Sequence, residues 1–243
     1  MTWIIIPAYN EGQNLPGVVH GIASTLRDGY RVFIINDGSK DDTLQVVQAL
    51  AKSYPVTLLD HVHNKGVAEA FRTGITAVIA TAKKEDVVVI MEGDGTSDVK
   101  LLPEMVASIR AGADVVIASR YCGSGQYRNF PIKRLLLSKV ANAVFRLLFP
   151  VVGVRDYSIF YRAYQAGVLQ AAMRAHGEKF ITVQTFFANI EILLNLRPWL
   201  SRVEEVALVY DYGQKKGKSG MKIWKNVRSY ILFIVTHAFR SPA

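Results

Sequence analysis

The chain has 243 residues, half of them hydrophobic, which is enough for a sizeable core in one domain or one domain with an appendage. Its single cysteine excludes an internal disulfide framework. The net charge of +9 is uneven, because residues 1–100 carry a net −3 and residues 101–243 a net +12. This asymmetry indicates an anionic partner such as nucleic acid, phosphorylated lipid or a membrane surface, or else a generally basic surface.

The first 120 residues alternate between short apolar strands and helices. Such alternation is typical of a doubly wound α/β sheet, in which ligands bind beyond the carboxyl ends of the strands. We predict strands at 2–6, 30–35, 55–60, 86–91 and 114–119. Between them we predict helices at about 14–27, from Gly66 to about 77, and at 101–111. A further helix is predicted to follow residues 39–42 and to end at about residue 53.

The stretch 87–98 is the one around which we expect a site to form. Its apolar run breaks abruptly into Glu92, Gly93 and Asp94. Carboxylates two residues apart at a strand end can direct oxygen ligands at one Mg²⁺ or Mn²⁺. The alternative is a polar turn in which Asp98 caps the helix that follows.

Two other strand ends carry polar clusters. Asp37 ends the second strand and should face the same crevice, whereas Asp41 and Asp42 are interpreted as caps of the next helix. His61 and His63 follow the third strand, but we reject a zinc site because no cysteine or further histidine lies nearby.

The second half of the chain is more basic. Residues 132–149 predict a basic amphipathic helix, which can lie in a membrane interface or pack on the core with its cations outward. Near the end, the uncharged stretch between Arg228 and Arg240 has 11 residues, too few to span a bilayer. We therefore expect no transmembrane helix in this chain.

Several motifs occur in a specific order. They lie at residues 5–11, 36–43, 64–66, 92–94, 118–121, 134–142, 156–162 and 217–221. Together they resemble the family 2 glycosyltransferases of GT-A fold, and within them the polyprenyl-phosphate glycosyltransferases typified by dolichyl-phosphate mannose synthase. The resemblance covers about residues 3–222.

The resemblance implies an α/β fold: a GT-A, Rossmann-like open mixed sheet flanked by helices, with C-terminal amphipathic helices at the interface. It implies a glycosyltransferase domain over residues 1–212, including the interface helix at 132–149. Residues 213–243 would then form a basic loop and a C-terminal amphipathic helix.

The resemblance also implies roles for individual residues. Catalytic roles fall to Asp94, Arg120, Arg134 and Asp156, and the metal ligands are Glu92 and Asp94. The residues that would bind donor and acceptor are Pro7, Tyr9, Glu11, Asp37, Gly66, Lys215, Lys216 and Lys218.

The chain departs from the family pattern at several positions. Glu92 and Asn36 stand where aspartate is usual, and Thr96 stands where glutamine is common. The motif at 159–162 has lost its glycine, and residues 219–221 lack the usual lysine. These changes bear on donor and acceptor specificity more than on the fold.

The expected activity is an inverting, Mg²⁺- or Mn²⁺-dependent transfer of a hexose, mannose or glucose, from a GDP- or UDP-sugar to dolichyl or undecaprenyl phosphate. A phosphate acceptor is already anionic and needs cations rather than a general base. We expect its phosphate to lie between Arg134 and the lysines at 215–218. We expect the protein to sit peripherally on the cytoplasmic face of a membrane and not to bind nucleic acid.

Two alternatives remain open. The chain could transfer sugar to a polysaccharide or protein hydroxyl, with Asp156 as base. It could also be a non-catalytic module that binds a nucleotide sugar or phospholipid through a decayed site around Glu92 and Thr96.

Overall fold

The computed structural model describes residues 1–214 and 223–237, and the predicted ligands Lys215, Lys216 and Lys218 lie outside these ranges. The described strands are β1 (Thr2–Ala8), β2 (Tyr30–Asp37), β3 (Val56–His61), β4 (Val87–Ile90), β5 (Val115–Ser119), β6 (Gln126–Arg128), β7 (Arg162–Gln165), β8 (Val203–Ala207) and β9 (Val209–Asp211). The described α-helices are α1 (Leu15–Leu26), α2 (Thr43–Ser53), α3 (Val67–Ile79), α4 (Leu102–Arg110), α5 (Ile132–Leu148), α6 (Ala166–His176), α7 (Ala188–Leu196) and α8 (Ile223–His237).

Within these ranges the main sheet has seven strands in the order β3-β2-β1-β4-β7-β5-β8. β1 pairs in parallel with β2 and β4, and β7 runs antiparallel between β4 and β5. Ile4, Ile5 and Ile6 are fully buried, because helices cover both faces of the sheet. The carboxyl ends of β1, β2, β4 and β5 therefore meet at one edge.

The helix α3 lies unusually close to the sheet, as its small residues predict. A Cβ atom on Gly74 would come within 2.5 Å of Ile5 Cγ2 and 2.9 Å of Ile35 Cδ1. These are contacts that real Cβ atoms do not make, so a larger residue would force the two isoleucine side chains or the helix itself to shift. The glycine thus permits close packing of α3 on the strands that carry the first two motifs.

The prediction from sequence missed β7. Its sequence, Arg-Ala-Tyr-Gln, has a charged residue where a central strand is usually apolar. Arg162 is nevertheless fully buried, and its guanidinium donates to the carbonyls of Tyr157 and Asn189, each at 2.7 Å. These carbonyls lie in other segments, so the local pattern does not show how the charge is accommodated.

The helix α5 packs on the core with one side, as one interpretation of its pattern predicted, and exposes apolar residues on the other side. Phe145 on one side is fully buried and contacts Tyr230 of α8 at 5.7 Å between ring centroids. Leu136 and Leu147 on the other side are 65% and 80% exposed. In the described part of the chain, no helix is both long and apolar enough to cross a membrane.

A buried ion pair joins β5 to the segment that leads into β7. Arg120 Nε and Nη2 donate to the two carboxylate oxygens of Asp156 at 2.7 and 2.6 Å. Burial alone would raise the pKa of Asp156, but the charge and hydrogen bonds of Arg120 outweigh it and leave the pKa below its ordinary value of 3.8. Glu205 of β8 accepts the backbone N–H groups of Arg155 and Asp156 at 2.6 and 2.9 Å, which holds the same segment from the other side.

This pair predicts a large effect of Asp156→Asn on stability. The substitution leaves the Arg120 guanidinium buried without its counter-charge, so we expect the free energy of unfolding to fall by about 3 kcal/mol or more in urea titrations. In the parent chain the depressed pKa contributes stability above pH 3.8, and that contribution is lost as the pH falls through the lower folded-state pKa.

The matched control is Glu204→Gln, which breaks the exposed Arg202–Glu204 pair. Because exposed pairs contribute little, this change should cost less than about 1 kcal/mol. If the two variants lost equal free energy of unfolding, the buried pair would contribute no more to stability than the exposed pair.

Candidate active site

A cavity of about 530 Å³ opens at the edge where the parallel strands end. Its size suits a small-molecule ligand. The predicted residues that line it are Pro7, Tyr9, Glu11, Asp37, Gly66, Glu92, Asp94, Arg120 and Arg134. Sequence positions more than 120 residues apart are thus brought to one site.

The loops after β1 and β2 are tied together. Asn10 has the left-handed φ of 56°, which asparagine tolerates, and its side chain accepts from the backbone N–H of Lys40 at 2.8 Å. The backbone N–H of Glu11 donates to Thr43 Oγ1 at 2.9 Å. These bonds fix Glu11 at the cavity mouth.

The predicted capping aspartates behave differently from each other. Asp41 accepts from the backbone N–H of Thr43, the first residue of α2, at 3.0 Å and from that of Gly12 at 3.3 Å. Asp42 precedes α2 but makes no side-chain capping bond, so its predicted capping role is wrong. Asp41 is the better placed because its carboxylate also reaches the loop after β1.

Asp37 lies at the end of β2, and its carboxylate is held in place by contacts with three other residues. Its carboxylate accepts from the backbone N–H groups of Lys65 and Gly66 at 2.9 and 2.8 Å and lies 2.8 Å from His61 Nδ1. The other ring nitrogen of His61 lies 2.9 Å from Thr73 Oγ1. His61 therefore orients Asp37, a contact that the sequence did not reveal, and the carboxylate keeps lone pairs for a ligand in the cavity.

The acidic turn after β4 is closed by its own hydroxyls. Thr96 donates to Asp94 Oδ1 from its backbone N–H at 3.1 Å and from Oγ1 at 2.5 Å. Ser97 Oγ donates to the Glu92 carboxylate. Thr96 thus takes a structural role in the turn. Asp98 is exposed and accepts from Lys100 N–H at 3.0 Å, which confirms the capping interpretation for this residue.

Glu92 and Asp94 form the pair best suited to a metal ion. Burial and, next, the charge of Asp94 raise the pKa of Glu92 to about 7. Two crowded carboxylates of this kind fit a hard divalent cation, which would relieve their repulsion. No third His, Cys, Asp or Glu joins them among residues 1–214 and 223–237, and Mg²⁺ commonly completes its coordination with substrate phosphates and water.

Arg120 is held by contacts on its faces and edge. Its guanidinium lies 4.8 Å from the ring centroid of Tyr127 and 5.6 Å from that of Tyr210. Its Nη2 donates to Ser158 Oγ at 2.6 Å as well as to Asp156. Burial disfavours its charged form, but Asp156 raises the pKa of Arg120 above its ordinary value, so Arg120 stays cationic.

Asp156 lies behind Arg120. It is fully buried, it does not line the cavity, and both carboxylate oxygens accept from Arg120. Its catalytic role, implied by the resemblance, stays a prediction. The geometry gives it the task of orienting Arg120.

Arg134 enters the cavity from the first turn of α5. Its Nη1 donates to the hydroxyl of Tyr212 at 2.9 Å, and its guanidinium lies 5.7 Å from the centroid of that ring. The motifs did not predict Tyr212 or several other lining residues, among them Phe130, Ser138, Ser158 and Tyr210. The sequence pattern that could have indicated them is the pair of tyrosines at alternate positions after β8, Tyr210 and Tyr212.

The substitution of Asn36 for aspartate also has a local explanation. Asn36 Nδ2 donates to Asp60 Oδ1 at 2.7 Å, and Asn36 Oδ1 accepts from Ser39 N–H at 3.2 Å. An aspartate could not donate to Asp60. Asn36 therefore joins β2 to β3 and shapes the turn that presents Asp37.

Comparisons with known proteins agree with the motifs. The model of the family "Glycosyl transferase family 2" matches residues 3–170. Polyprenol monophosphomannose synthase of Mycolicibacterium smegmatis is 34% identical over 171 residues, which cover 70% of this chain and 63% of that protein. Dolichol-phosphate mannosyltransferase of Pyrococcus furiosus is 32% identical over 150 residues, which cover 61% of this chain and 41% of that protein. The chain thus spans less than two thirds of these relatives.

Solved structures support the fold. The crystal structure of glucosyl-3-phosphoglycerate synthase from Mycobacterium tuberculosis with Mn²⁺, UDP-glucose and phosphoglyceric acid matches with a TM-score of 0.69 at 16% identity. The match covers 100% of this chain and 81% of that chain. At this identity the likeness concerns the fold alone, and it confirms the predicted GT-A architecture. The resemblance to polyprenyl-phosphate glycosyltransferases is likewise confirmed by the named relatives. The match to the family model spans more than half of this chain and includes the sequence motifs from residue 5 to residue 162. The chain therefore belongs to glycosyl transferase family 2.

Proposed function

We propose that this protein transfers a hexose from a nucleotide sugar to a polyprenyl phosphate, with Mg²⁺ or Mn²⁺ as cofactor. The observation that carries the proposal is a single cavity lined by both Glu92 and Asp94 and by Arg120 and Arg134. Such a site offers ligands for a metal–diphosphate and cations for a second phosphate. The relatives named for mannose transfer favour mannose, and glucose is the second candidate.

The donor's nucleoside would lie against the loops after β1, β2 and β3. Pro7, Tyr9, Glu11, Asp37 and Gly66 line that side of the cavity. Asp37, organised by the backbone N–H groups of residues 65 and 66, is a fixed acceptor for donor groups on a base or ribose. A GDP- or UDP-hexose fits this description.

The reaction is a single displacement at the anomeric carbon, with inversion. An acceptor phosphate oxygen forms the new bond, and the bond to the nucleoside diphosphate breaks. The bound metal would neutralise charge on the departing diphosphate. Arg120, kept cationic and immobile by Asp156, adds a preorganised charge, and Arg134 can offer two parallel donors to one phosphate.

The setting of Asp156 favours a phosphate acceptor over a hydroxyl acceptor. A hydroxyl needs a general base within reach of its proton. Asp156 is the carboxylate that the sequence offered for this role, but it is fully buried and bonded to Arg120. A phosphate monoester needs no base, and this matches a cavity with two arginines.

We also propose peripheral attachment to the cytoplasmic face of a membrane. The exposed sides of α5 and α8 carry apolar residues beside the exposed cations Lys139 and Arg146. An apolar face of this kind with flanking cations suits the interface of an anionic bilayer. The exposed apolar residues are Ile132, Leu136, Val140, Leu147, Leu148, Ile231, Leu232 and Val235.

The central test is a transfer assay with radiolabelled GDP-mannose, GDP-glucose and UDP-glucose, polyprenyl phosphate in detergent, and Mn²⁺ or Mg²⁺. We expect activity that EDTA abolishes. Asp94→Asn keeps the side-chain volume but removes one anionic ligand, so we expect at least a tenfold loss of turnover, or about 1.4 kcal/mol.

The matched control is Asp98→Asn, which changes an exposed carboxylate four residues away that only caps a turn. It should retain turnover within about twofold of the parent chain, since capping bonds contribute only about 1 kcal/mol to stability. Full activity of Asp94→Asn, or activity in EDTA, would contradict the metal-dependent mechanism.

A second prediction concerns the pH dependence of stability without metal. The folded-state pKa of Glu92 is raised to about 7 from an ordinary 4.5, so between these values the folded chain holds more protons than the unfolded chain. Stability in EDTA should therefore fall as the pH rises through this window, by at most about 1.4 kcal/mol per pH unit. Glu92→Gln should remove this fall, as measured by urea unfolding at pH 5, 6 and 7. Identical pH profiles for the two proteins would contradict the burial of a titrating Glu92.

A third prediction concerns the membrane. Flotation with anionic liposomes should recover the protein at low salt and release part of it at high salt, because screening weakens the charge contribution. Leu147→Ser should weaken flotation, since residue 147 is 80% exposed on the α5 face. Val62→Ser, which alters an equally exposed aliphatic residue after β3, should not. If the two variants floated equally well, the membrane-contacting surface would not be the exposed face of α5.

A further inference from the structure

The two arginines of the cavity share one group of aromatic side chains, here called the aromatic cluster: Tyr127, Phe130, Tyr210 and Tyr212. The small sheet β6–β9 builds it, because its register pairs Tyr127 with Tyr210. Phe130 lies at its centre, with ring centroids 4.9 Å from Tyr127, 5.7 Å from Tyr210 and 5.4 Å from Tyr212. The cluster is therefore a connected unit of rings.

Each end of the cluster holds one arginine. Tyr127 and Tyr210 flank the Arg120 guanidinium at 4.8 and 5.6 Å. Tyr212, two residues beyond Tyr210, accepts from Arg134 Nη1 at 2.9 Å and lies 5.7 Å from its guanidinium. Tyr210 and Tyr212 lie beyond residue 170, where the match to the family model ends.

The chemistry of the Arg134 contact is that of a support. A guanidinium has five N–H donors, and the Tyr212 hydroxyl accepts from one nitrogen only, which leaves a planar pair for a phosphate. Arginine is long and has many rotamers, so an unsupported Arg134 would have to be ordered by the ligand itself. A side chain that is ordered before binding gives higher affinity, because the loss of its conformational entropy does not occur on binding.

We propose that Tyr212 is a positioning residue for the acceptor phosphate, acting through Arg134. The inference rests on the proposed function and adds to it a division of labour. Tyr212 serves acceptor recognition, whereas the contacts of Arg120 with Asp156 and Tyr127 serve the departing diphosphate.

The test is a set of steady-state measurements with donor and acceptor varied separately. Tyr212→Phe removes the hydroxyl and keeps the ring, so we expect the KM for polyprenyl phosphate to rise about five- to tenfold, as for loss of one charge-assisted hydrogen bond. The KM for the nucleotide sugar and the melting temperature should stay near the parent values. Tyr212→Leu, which also removes the ring contact, should raise the acceptor KM further.

The matched control is Tyr54→Phe. This tyrosine follows α2 at the opposite edge of the sheet, and its hydroxyl lies 3.3 Å from His20 Nδ1. The substitution removes the same hydroxyl group from a polar contact outside the cavity. It should leave the KM values for the nucleotide sugar and for polyprenyl phosphate unchanged.

A double-mutant cycle separates positioning from a general structural effect. Arg134→Lys removes the planar fork, so adding Tyr212→Phe to it should have little further effect on the acceptor KM. Additive effects would overturn the inference, as would an unchanged acceptor KM in Tyr212→Phe or an equal rise in both KM values with a fall in melting temperature. If the parent protein transfers no sugar to polyprenyl phosphate, the proposed function itself is wrong, and that result is distinguishable from these.

Discussion

The buried ion pair between Arg120 and Asp156 is the interaction on which both the fold and the site depend. Arg120 directly follows β5, and Asp156 precedes β7, so the pair closes a loop of more than thirty residues that contains α5. Neither charge is exposed enough for water to replace its partner. The same guanidinium lines the cavity, so the group that closes this loop would also place its charge in the proposed site. Asn142 of α5 reinforces this region by accepting the backbone N–H of Tyr157 at 2.6 Å.

The first half of the fold was predictable because its information is local. Runs such as residues 3–6 and 87–91 are apolar without interruption, and parallel strands buried on both faces have this composition. β7 was not predictable, because it contains the charged Arg162, whose burial and donation to the carbonyls of Tyr157 and Asn189 are visible only in the tertiary structure. The small sheet β6–β9 pairs residues more than eighty positions apart and leaves no periodic pattern.

The same contrast holds in the site. Asp37, Glu92 and Asp94 were predictable from their positions at strand ends, because the topology of parallel sheets brings such ends together. Asp156 shows the limit of a motif, which identifies a residue without telling whether it faces the ligand or supports a neighbour. Tyr212 shows the opposite case, because a lining residue outside every motif is visible only when its contact with Arg134 is seen.

The insertion of β7 between β4 and β5 has a consequence for the order in which the chain can fold during synthesis. β1 to β4 can pair as soon as they leave the ribosome, but β5 has no neighbour on that side until residues 162–165 arrive. Until then the four apolar residues of β4 present an open edge, the kind of template that recruits other chains. A ribosome that pauses between residues 120 and 160 would prolong this exposure. Chaperone demand in this family member should therefore concentrate in that window of translation.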